Sequence, residues 1–232
     1  MTFIVAEIGV NWDGDLKLLE DMMLNAKKAG ADAVKLQAFQ EDIIKEHPQR
    51  ERLLKTSVTK SNILTINNLA KKIGIEWFCT PMFADAVDIL DSFVTRYKIS
   101  ESDGRSLLEN STTELLEKVL ATNKEVIISS EKNPKNSKFY KHGLIKWLYC
   151  VPKYPCEIHE LDFKDLKYFN GYSNHYPHLL APLAASILGA DIIEIHITSD
   201  KNRDFIDNNV SLDYSELTEL VKLIRLSDKI KK

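Results

Sequence analysis

The chain has 232 residues, of which 31 are basic and 34 acidic, giving a net charge of −3. This balance excludes a strongly basic nucleic-acid-binding protein and an acidic tail, so we expect no nucleic-acid partner. A hydrophobic content of 44% and a charged content of 28% are typical of a globular domain. Because one α/β barrel needs about 250 residues, we predict a single domain over residues 1–232.

The cellular compartment is predicted from what the sequence lacks. No apolar run approaches the roughly 20 residues that cross a membrane, so we expect no membrane partner. A strand-like run, Phe3–Ala6, follows Met1 without a basic segment, which argues against a signal peptide. Cys79, Cys150 and Cys156 form neither a disulfide framework nor a CxxC site. We therefore predict a cytoplasmic protein with free thiols.

Short apolar runs alternate with amphipathic stretches from one end of the chain to the other. The runs predict eight strands, over Phe3–Ile8, Ala33–Ala38, Glu76–Thr80, Thr95–Ile99, Glu125–Ser129, Lys146–Val151, Phe169–Ser173 and Asp191–Ile197. The amphipathic stretches predict helices over Leu16–Ala29, Ile63–Ile73, Ala84–Phe93, Leu107–Ala121, Leu179–Leu188 and Tyr214–Leu226. The segment Pro134–His142 is short and polar, which predicts a reduced helical layer after the fifth strand.

This alternation predicts an α/β fold with a parallel sheet, because each strand is followed by a crossover segment. Eight strands are the number that closes a (β/α)8 TIM barrel. An open, doubly wound sheet is the alternative. It lacks support, because Gly9 stands alone after the first strand, with no GxGxxG or Walker pattern. We predict a (β/α)8 TIM barrel.

Polar side chains concentrate at the carboxyl ends of the predicted strands, where barrel enzymes carry their catalytic groups. In chain order they are Glu7, Lys35, Gln37, Thr80, Lys98, Ser129, Ser173, His175, Glu194 and His196. Residues two apart on a strand face the same side. Lys35 and Gln37 therefore form one such pair, and Glu194 and His196 form another.

Two histidines and two lysines define the chemistry at these ends. His175 and His196 could hold a borderline divalent ion, or could be hydrogen-bonded histidines without a metal. Lys35 and Lys98, with serines nearby, could hold a phosphate and a carboxylate. The alternative is that a lysine points outward into solvent, which its place within an apolar strand disfavours.

Glu7 and Glu194 complete the set of charged residues at the strand ends. They could perform acid–base catalysis. Alternatively, they could serve only as ion-pair partners of the lysines. The residue types alone leave both interpretations open.

The strand-end motifs together resemble the sialic acid synthase family, which includes the N-acetylneuraminate, legionaminate and pseudaminate synthases. The resemblance rests on one short motif per strand over most of the chain. The motifs are Ala6–Asn11 with Gly14, Ala29–Gln37, Cys79–Phe83, Tyr97–Ile99, Tyr172–His175 and Glu194–His196. Their order and spacing are similar to those of the family from Phe3 to the last helix.

The resemblance implies an enzyme that condenses phosphoenolpyruvate with the open-chain aldehyde of a 2-acetamido sugar, giving a nonulosonic acid and phosphate. It implies a divalent metal, Mn2+ or Mg2+, held by His175 and His196. It further implies phosphoenolpyruvate contacts from Lys35, Gln37, Thr80, Lys98, Ser129 and Ser173. Glu7 and Glu194 would be catalytic, and Tyr154 and Asp207 would contact the sugar.

The sequence also departs from the family pattern. Glu101 stands where a phosphate-binding serine is expected, and it would repel phosphate unless it turned outward. Pro152 replaces an asparagine, and Asn174 replaces the acid beside the metal histidine. The family's antifreeze-like second domain, which supplies an arginine to the sugar site, is not expected within 232 residues.

These departures leave alternatives to a self-contained synthase. The chain could be a degenerate, non-catalytic relative, or a catalytic barrel that needs a separate antifreeze-like lid protein. A homodimer is possible. A general metal-dependent aldolase is less favoured, because two spaced lysines suit a phosphate and a carboxylate better than a Schiff base.

Overall fold

The computed structural model describes residues 1–230 of the chain. Eight parallel strands form a closed barrel in sequence order, so the predicted (β/α)8 TIM barrel is confirmed. The strands are β1 (Phe3–Glu7), β2 (Ala33–Ala38), β3 (Glu76–Pro81), β4 (Arg96–Ile99), β5 (Glu125–Ser130), β6 (Ile145–Tyr149), β7 (Gly171–Asn174) and β8 (Ile192–His196). Closure comes from β1 pairing with both β2 and β8.

Helices cover the outside of the barrel. They are α1 (Leu16–Ala29), α2 (Glu41–Ile44), α3 (Arg50–Thr56), α4 (Ile63–Ile73), α5 (Ala84–Leu90), α6 (Glu101–Leu108), α7 (Glu114–Ala121), α8 (Leu180–Ile187) and α9 (Tyr214–Ile230). α1 and α4 begin and end at the predicted residues. Gly30 and Gly74 end them in the left-handed conformation, with φ of 93° and 74°.

The single helix predicted over Leu107–Ala121 is wrong, because α6 and α7 are separate helices. Asn110 lies between them with φ of 62°, a left-handed conformation that asparagine tolerates better than most residues. The Thr113 hydroxyl then caps α7 by accepting from the backbone N–H of Leu116 at 3.4 Å. Six consecutive polar residues, 109–114, interrupt the apolar pattern at this break, and the single predicted helix ran across them.

The helical layer is reduced after two consecutive strands. After β5, the predicted short segment contains a 3-10 turn over Pro134–Asn136. After β6, the described residues contain two further 3-10 turns, Ile158–Glu160 and Leu166–Tyr168, and no α-helix before β7. The β2–β3 connection instead carries two short helices, α2 and α3, that the sequence did not predict.

Side chains alternate between the inside and the outside of the barrel along each strand. Along β2, Lys35 and Gln37 reach the cavity inside the barrel, whereas the intervening Leu36 is fully buried in the apolar core. Between β7 and β8 the backbones approach closely. A Cβ at Gly171 would lie 2.0 Å from the carbonyl oxygen of Ile192, so only glycine fits there.

Two expectations about the rest of the molecule can be compared with the structure. Cys79, Cys150 and Cys156 are free and buried, as predicted. Among residues 1–230, none of the helices has the length and apolar character needed to cross a bilayer.

Candidate active site at the barrel mouth

A cavity of about 310 Å³ lies at the carboxyl ends of the barrel strands. It brings together nearly all of the predicted site residues. Those lining it are Glu7, Lys35, Gln37, Thr80, Lys98, Ser129, Tyr154, Ser173, His175, Glu194 and His196. Asp207 lies beside it, with its Oδ2 atom 3.5 Å from Nδ1 of His196.

Both lysines point into the barrel, and each is only 4% exposed. The Lys35 ammonium lies 2.8 Å from Oε1 of Glu7 and donates to the Thr80 hydroxyl at 3.1 Å. Lys98 donates to the Ser129 hydroxyl at 2.7 Å. The alternative of a solvent-facing lysine is therefore excluded for both, and two buried positive charges face one small cavity.

Glu194 lies between the two lysines. Its Oε1 accepts a hydrogen bond from the Ser173 hydroxyl at 2.8 Å and lies 3.4 Å from Lys98 and 4.0 Å from Lys35. Burial by itself would raise the pKa of Glu194, but the two ammonium groups outweigh it and lower the pKa to about 2. Glu194 is therefore an anion at neutral pH.

The carboxylates thus form ion pairs with the lysines, but each keeps one free oxygen. Oε1 of Glu7 accepts from Gln37 at 3.0 Å as well as pairing with Lys35. Oε2 of Glu7 and Oε2 of Glu194 are buried and have no hydrogen-bond partner in the described part of the chain. Since buried polar atoms are rarely left unpaired, these two oxygens point to a substrate or water in the cavity.

The two histidines lie on neighbouring strand ends, with ring centroids 5.5 Å apart. Nδ1 of His175 lies 2.6 Å from the carbonyl oxygen of Val151 and donates to it, which leaves Nε2 as the free, lone-pair nitrogen. Burial, followed by the neighbouring His196, lowers the pKa of His175 to about 3. Its imidazole is therefore neutral, the form that binds metal ions.

The donor set at the histidines suits an open metal site. Nδ1 of His196 is buried and has no hydrogen-bond partner within residues 1–230. In that same range, no three His, Cys, Asp or Glu side chains come together as a complete ligand set. The chain would therefore supply two imidazoles, and substrate or water would supply the remaining ligands.

Tyr154 closes one side of the histidine pair. Its ring stacks on His175 at a centroid distance of 4.0 Å and meets His196 edge-on at 5.6 Å. Tyr154 is nevertheless 56% exposed, because it lies at the open edge of the cavity. It is therefore placed to contact a ligand that enters from solvent.

Asn11 holds the loop that carries Asp207, a role that the residue types did not predict. The fully buried Asn11 amide donates to the carbonyl of Ile197 at 2.9 Å and to the Ser211 hydroxyl at 3.0 Å. Its side-chain oxygen accepts from the backbone N–H of Asp207 at 3.0 Å. Nearby, a Cβ at Gly9 would approach Oδ2 of Asp207 to 3.4 Å. The first strand's loop thus sets the position of Asp207.

The departures from the family pattern have different structural outcomes. Glu101 does not turn outward; it lines the cavity and is paired with Arg105. Pro152 also lines the cavity. Asn174 is outside the cavity lining and bonds instead to the Tyr172 hydroxyl and the Tyr176 carbonyl.

Arg105 is a charged lining residue that the strand-end reasoning missed. It lies on α6 rather than on a strand, so a search confined to strand ends does not find it. Its spacing of four residues from Glu101 is the helical spacing of an ion pair, and this signal was present in the sequence.

Comparisons with known proteins agree with this geometry. Residues 22–232 match the model of the NeuB family. An uncharacterized protein of Methanocaldococcus jannaschii is 34% identical over 247 residues, covering 99% of this chain and 72% of that protein. The N,N'-diacetyllegionaminic acid synthase of Legionella pneumophila is 28% identical, covering 96% of this chain and 71% of the synthase.

A solved structure extends the similarity to three dimensions. The N-acetylneuraminic acid synthetase of Leptospira borgpetersenii, crystallised in complex with citrate, superposes with a TM-score of 0.86 at 27% identity. The alignment covers 99% of this chain and 85% of that one. The family resemblance drawn from the strand-end motifs is confirmed, and the chain is an enzyme of the synthase class.

Proposed function

The chain belongs to the NeuB family, and we propose that it condenses phosphoenolpyruvate with the aldehyde of a 2-acetamido sugar. The products would be a nonulosonic acid and inorganic phosphate. The observation that carries the proposal is the placement of two buried lysines and two histidines around one cavity. Few substrates other than a compact polyanion would require two buried ammonium groups beside a pair of imidazoles.

Phosphoenolpyruvate carries a phosphate and a carboxylate on the same carbon, and these anions repel each other. Lys35 and Lys98 would neutralise them, while the hydroxyls of Thr80, Ser129 and Ser173 would add hydrogen bonds. Gln37 lies on the same strand face as Lys35 and would contact the same substrate. Such fixed donors hold the substrate in the orientation for attack without reorganising during the reaction.

The reaction itself balances without a further co-reactant. The methylene carbon of phosphoenolpyruvate attacks the sugar aldehyde, forming the new carbon–carbon bond, and the aldehyde oxygen takes up a proton. Water adds to the resulting cation at the carbon that bears the phosphate and gives up a proton. The carbon–oxygen bond to phosphate then breaks, leaving a keto group. A divalent ion, Mn2+ or Mg2+, bound to His175 and His196 would supply Lewis-acid activation of the aldehyde.

Glu7 and Glu194 would act as the proton acceptors of the reaction. The Oε2 atoms of Glu7 and Glu194 have no hydrogen-bond partner within residues 1–230, and either could take a proton from the adding water. The ammonium groups of Lys35 and Lys98 would keep Glu194 ionised before the water adds and would stabilise the departing phosphate. Tyr154 and Asp207 would orient the sugar, with Asp207 held in place by Asn11.

The exposure of the cavity edge indicates which partner proteins could complete the site. Tyr154 is more than half exposed, so the sugar end of the site would be covered by a second copy of the chain or by a separate antifreeze-like lid protein. A cytoplasmic location is part of the proposal, since Cys79, Cys150 and Cys156 are free thiols and phosphoenolpyruvate is an intracellular metabolite.

A second candidate is a non-catalytic relative, and one observation favours it. Glu101 places a carboxylate inside the cavity, where it opposes a phosphate. In this case the barrel could still bind metal but would not catalyse the condensation.

The test is to incubate the protein with Mn2+, phosphoenolpyruvate and a panel of 2-acetamido sugars, and to assay phosphate and keto acid together. We expect equimolar products with at least one sugar and no phosphate without sugar. Lys98→Met should abolish turnover, whereas Lys27→Met, at an exposed helix position, should not. Metal binding without turnover on any sugar would contradict the synthase and support the non-catalytic candidate.

A further inference from the structure

The cavity contains as many carboxylates as cations, and every cation is already paired. The three pairs are Lys35 with Glu7, Lys98 with Glu194, and Arg105 with Glu101. A substrate that carries both a phosphate and a carboxylate brings about three negative charges into this neutral set. A cation that exchanged its present carboxylate for the substrate would offset part of this charge.

The Arg105–Glu101 pair has the geometry of an occupied anion site. Nε of Arg105 lies 3.0 and 2.9 Å from the two carboxylate oxygens of Glu101, and Nη2 lies 2.6 Å from one of them. The Glu101 side chain is only 10% exposed, whereas that of Arg105 is 61% exposed. The Glu101 carboxylate thus occupies the position in the cavity where Arg105 would otherwise bind an anion.

The packing of α6 keeps this pair at the cavity. A Cβ at Gly104 would lie 2.6 Å from Cγ2 of Ile128, so α6 approaches β5 as closely as it does only because residue 104 is glycine. The Ser100 hydroxyl accepts from the N–H of Asp103 and fixes the first turn directly after β4. Arg105 therefore lies on the same side of the barrel as Lys98.

Of the three pairs, the one on α6 is the easiest to exchange. Glu194 is held by two lysines and by Ser173, and all of these are buried. Within the described chain, the Glu101 carboxylate accepts hydrogen bonds from Arg105 only. A carboxylate that leaves a mostly exposed arginine moves into water, and a phosphate dianion gains more from the guanidinium than a carboxylate does.

We propose that Arg105 binds the phosphoryl group of phosphoenolpyruvate and that Glu101 competes with it as an internal carboxylate. This inference rests on the proposed function and deepens it by assigning the substrate's phosphate to a residue outside the strand ends. Glu101 then acts as a selectivity element. A ligand that offers only a carboxylate gains little by replacing another carboxylate, whereas a phosphate gains enough to displace it.

The experiment measures the affinities of phosphoenolpyruvate and pyruvate by titration calorimetry for wild type and variants. For Arg105→Gln we expect phosphoenolpyruvate affinity to fall roughly 10- to 100-fold, with pyruvate unchanged. Arg105→Lys should be intermediate, because lysine keeps the charge but loses the bidentate contact. Glu101→Gln should raise phosphoenolpyruvate affinity several-fold, because it removes the competing charge.

A matched control separates this effect from the loss of an ordinary surface ion pair. Lys118 pairs with Asp88 at 2.7 Å on the outside of the barrel, and Lys118→Gln should leave both affinities unchanged. If Arg105→Gln bound phosphoenolpyruvate as wild type does, or lost both ligands equally, the inference would be wrong while the proposed function stood. A Glu101→Gln variant with weakened binding would also contradict it. Wild-type protein that bound no phosphoenolpyruvate would overturn both.

Discussion

Replacing Asn11 by alanine should detach the loop that carries Asp207 from the barrel. The Asn11 side chain makes three hydrogen bonds, to the carbonyl of Ile197, the hydroxyl of Ser211 and the backbone N–H of Asp207. All three partners belong to the chain that follows β8. The substitution therefore removes three hydrogen bonds between the loop after β1 and the loop after β8.

The magnitude follows from these contacts. A buried hydrogen bond contributes about 1 kcal/mol net, so the loss of three should lower the free energy of unfolding by about 3 kcal/mol. For a domain of 150 to 250 residues, each kcal/mol shifts the melting temperature by about 2 to 4 °C. We therefore expect a decrease of about 6 to 12 °C. In the enzyme assay, the KM for the sugar should rise while the KM for phosphoenolpyruvate stays constant, because we propose that Asp207 contacts the sugar.

Thermal unfolding and steady-state kinetics measure these two effects on the same preparation. Asn25→Ala is the control, since its amide donates to Asp21 one turn away at the surface of α1, and it should change stability by less than about 0.5 kcal/mol. An Asn11→Ala protein as stable as this control would refute the argument from buried hydrogen bonds. An equal increase in both KM values would refute the assignment of Asp207 to the sugar.

Three further predictions test the barrel, the anion site and the metal site. Gly171→Ala should prevent folding or lower the free energy of unfolding by more than about 3 kcal/mol, as measured by chemical denaturation, because its Cβ would meet a β8 carbonyl at 2.0 Å. Lys98→Met should weaken phosphoenolpyruvate binding by roughly 10- to 100-fold in calorimetry, and unchanged affinity would remove this lysine from the anion site. His175→Ala and His196→Ala should each abolish Mn2+ binding measured by electron paramagnetic resonance, and retained binding would place the metal elsewhere.

The fold could be predicted from the sequence because the strands and several helices carry strong periodic signals. α1 and α4 have clear apolar faces and glycine ends, so their bounds were predicted to the residue. The break at Asn110 had a sequence signal that the prediction missed, because residues 109–114 are all polar and interrupt the apolar period. The short helices α2 and α3 were missed because neither is long enough to show a period.

The location of the site could be predicted from the polar strand ends, but the pairing of its lysines with its carboxylates could not. Lys35, Lys98 and Glu194 are recognisable because charged residues inside apolar strands are rare. Which carboxylate lies against which lysine depends on the distances across the barrel, and the sequence does not contain them. Arg105 lies on a helix and Asn11 lies in a loop. Charged and amide side chains are common in such segments, so residue type alone does not mark either one as part of the site.

The central claim is that the carbon of phosphoenolpyruvate attacks the sugar, so that phosphate leaves by cleavage of the carbon–oxygen bond. Phosphoenolpyruvate labelled with ¹⁸O at the bridging oxygen tests this directly when it is turned over with Mn2+ and an accepted 2-acetamido sugar. Mass spectrometry should find the label in the released phosphate and none in the keto acid. Label retained in an organic product, with unlabelled phosphate, would show cleavage at phosphorus and contradict the proposed condensation.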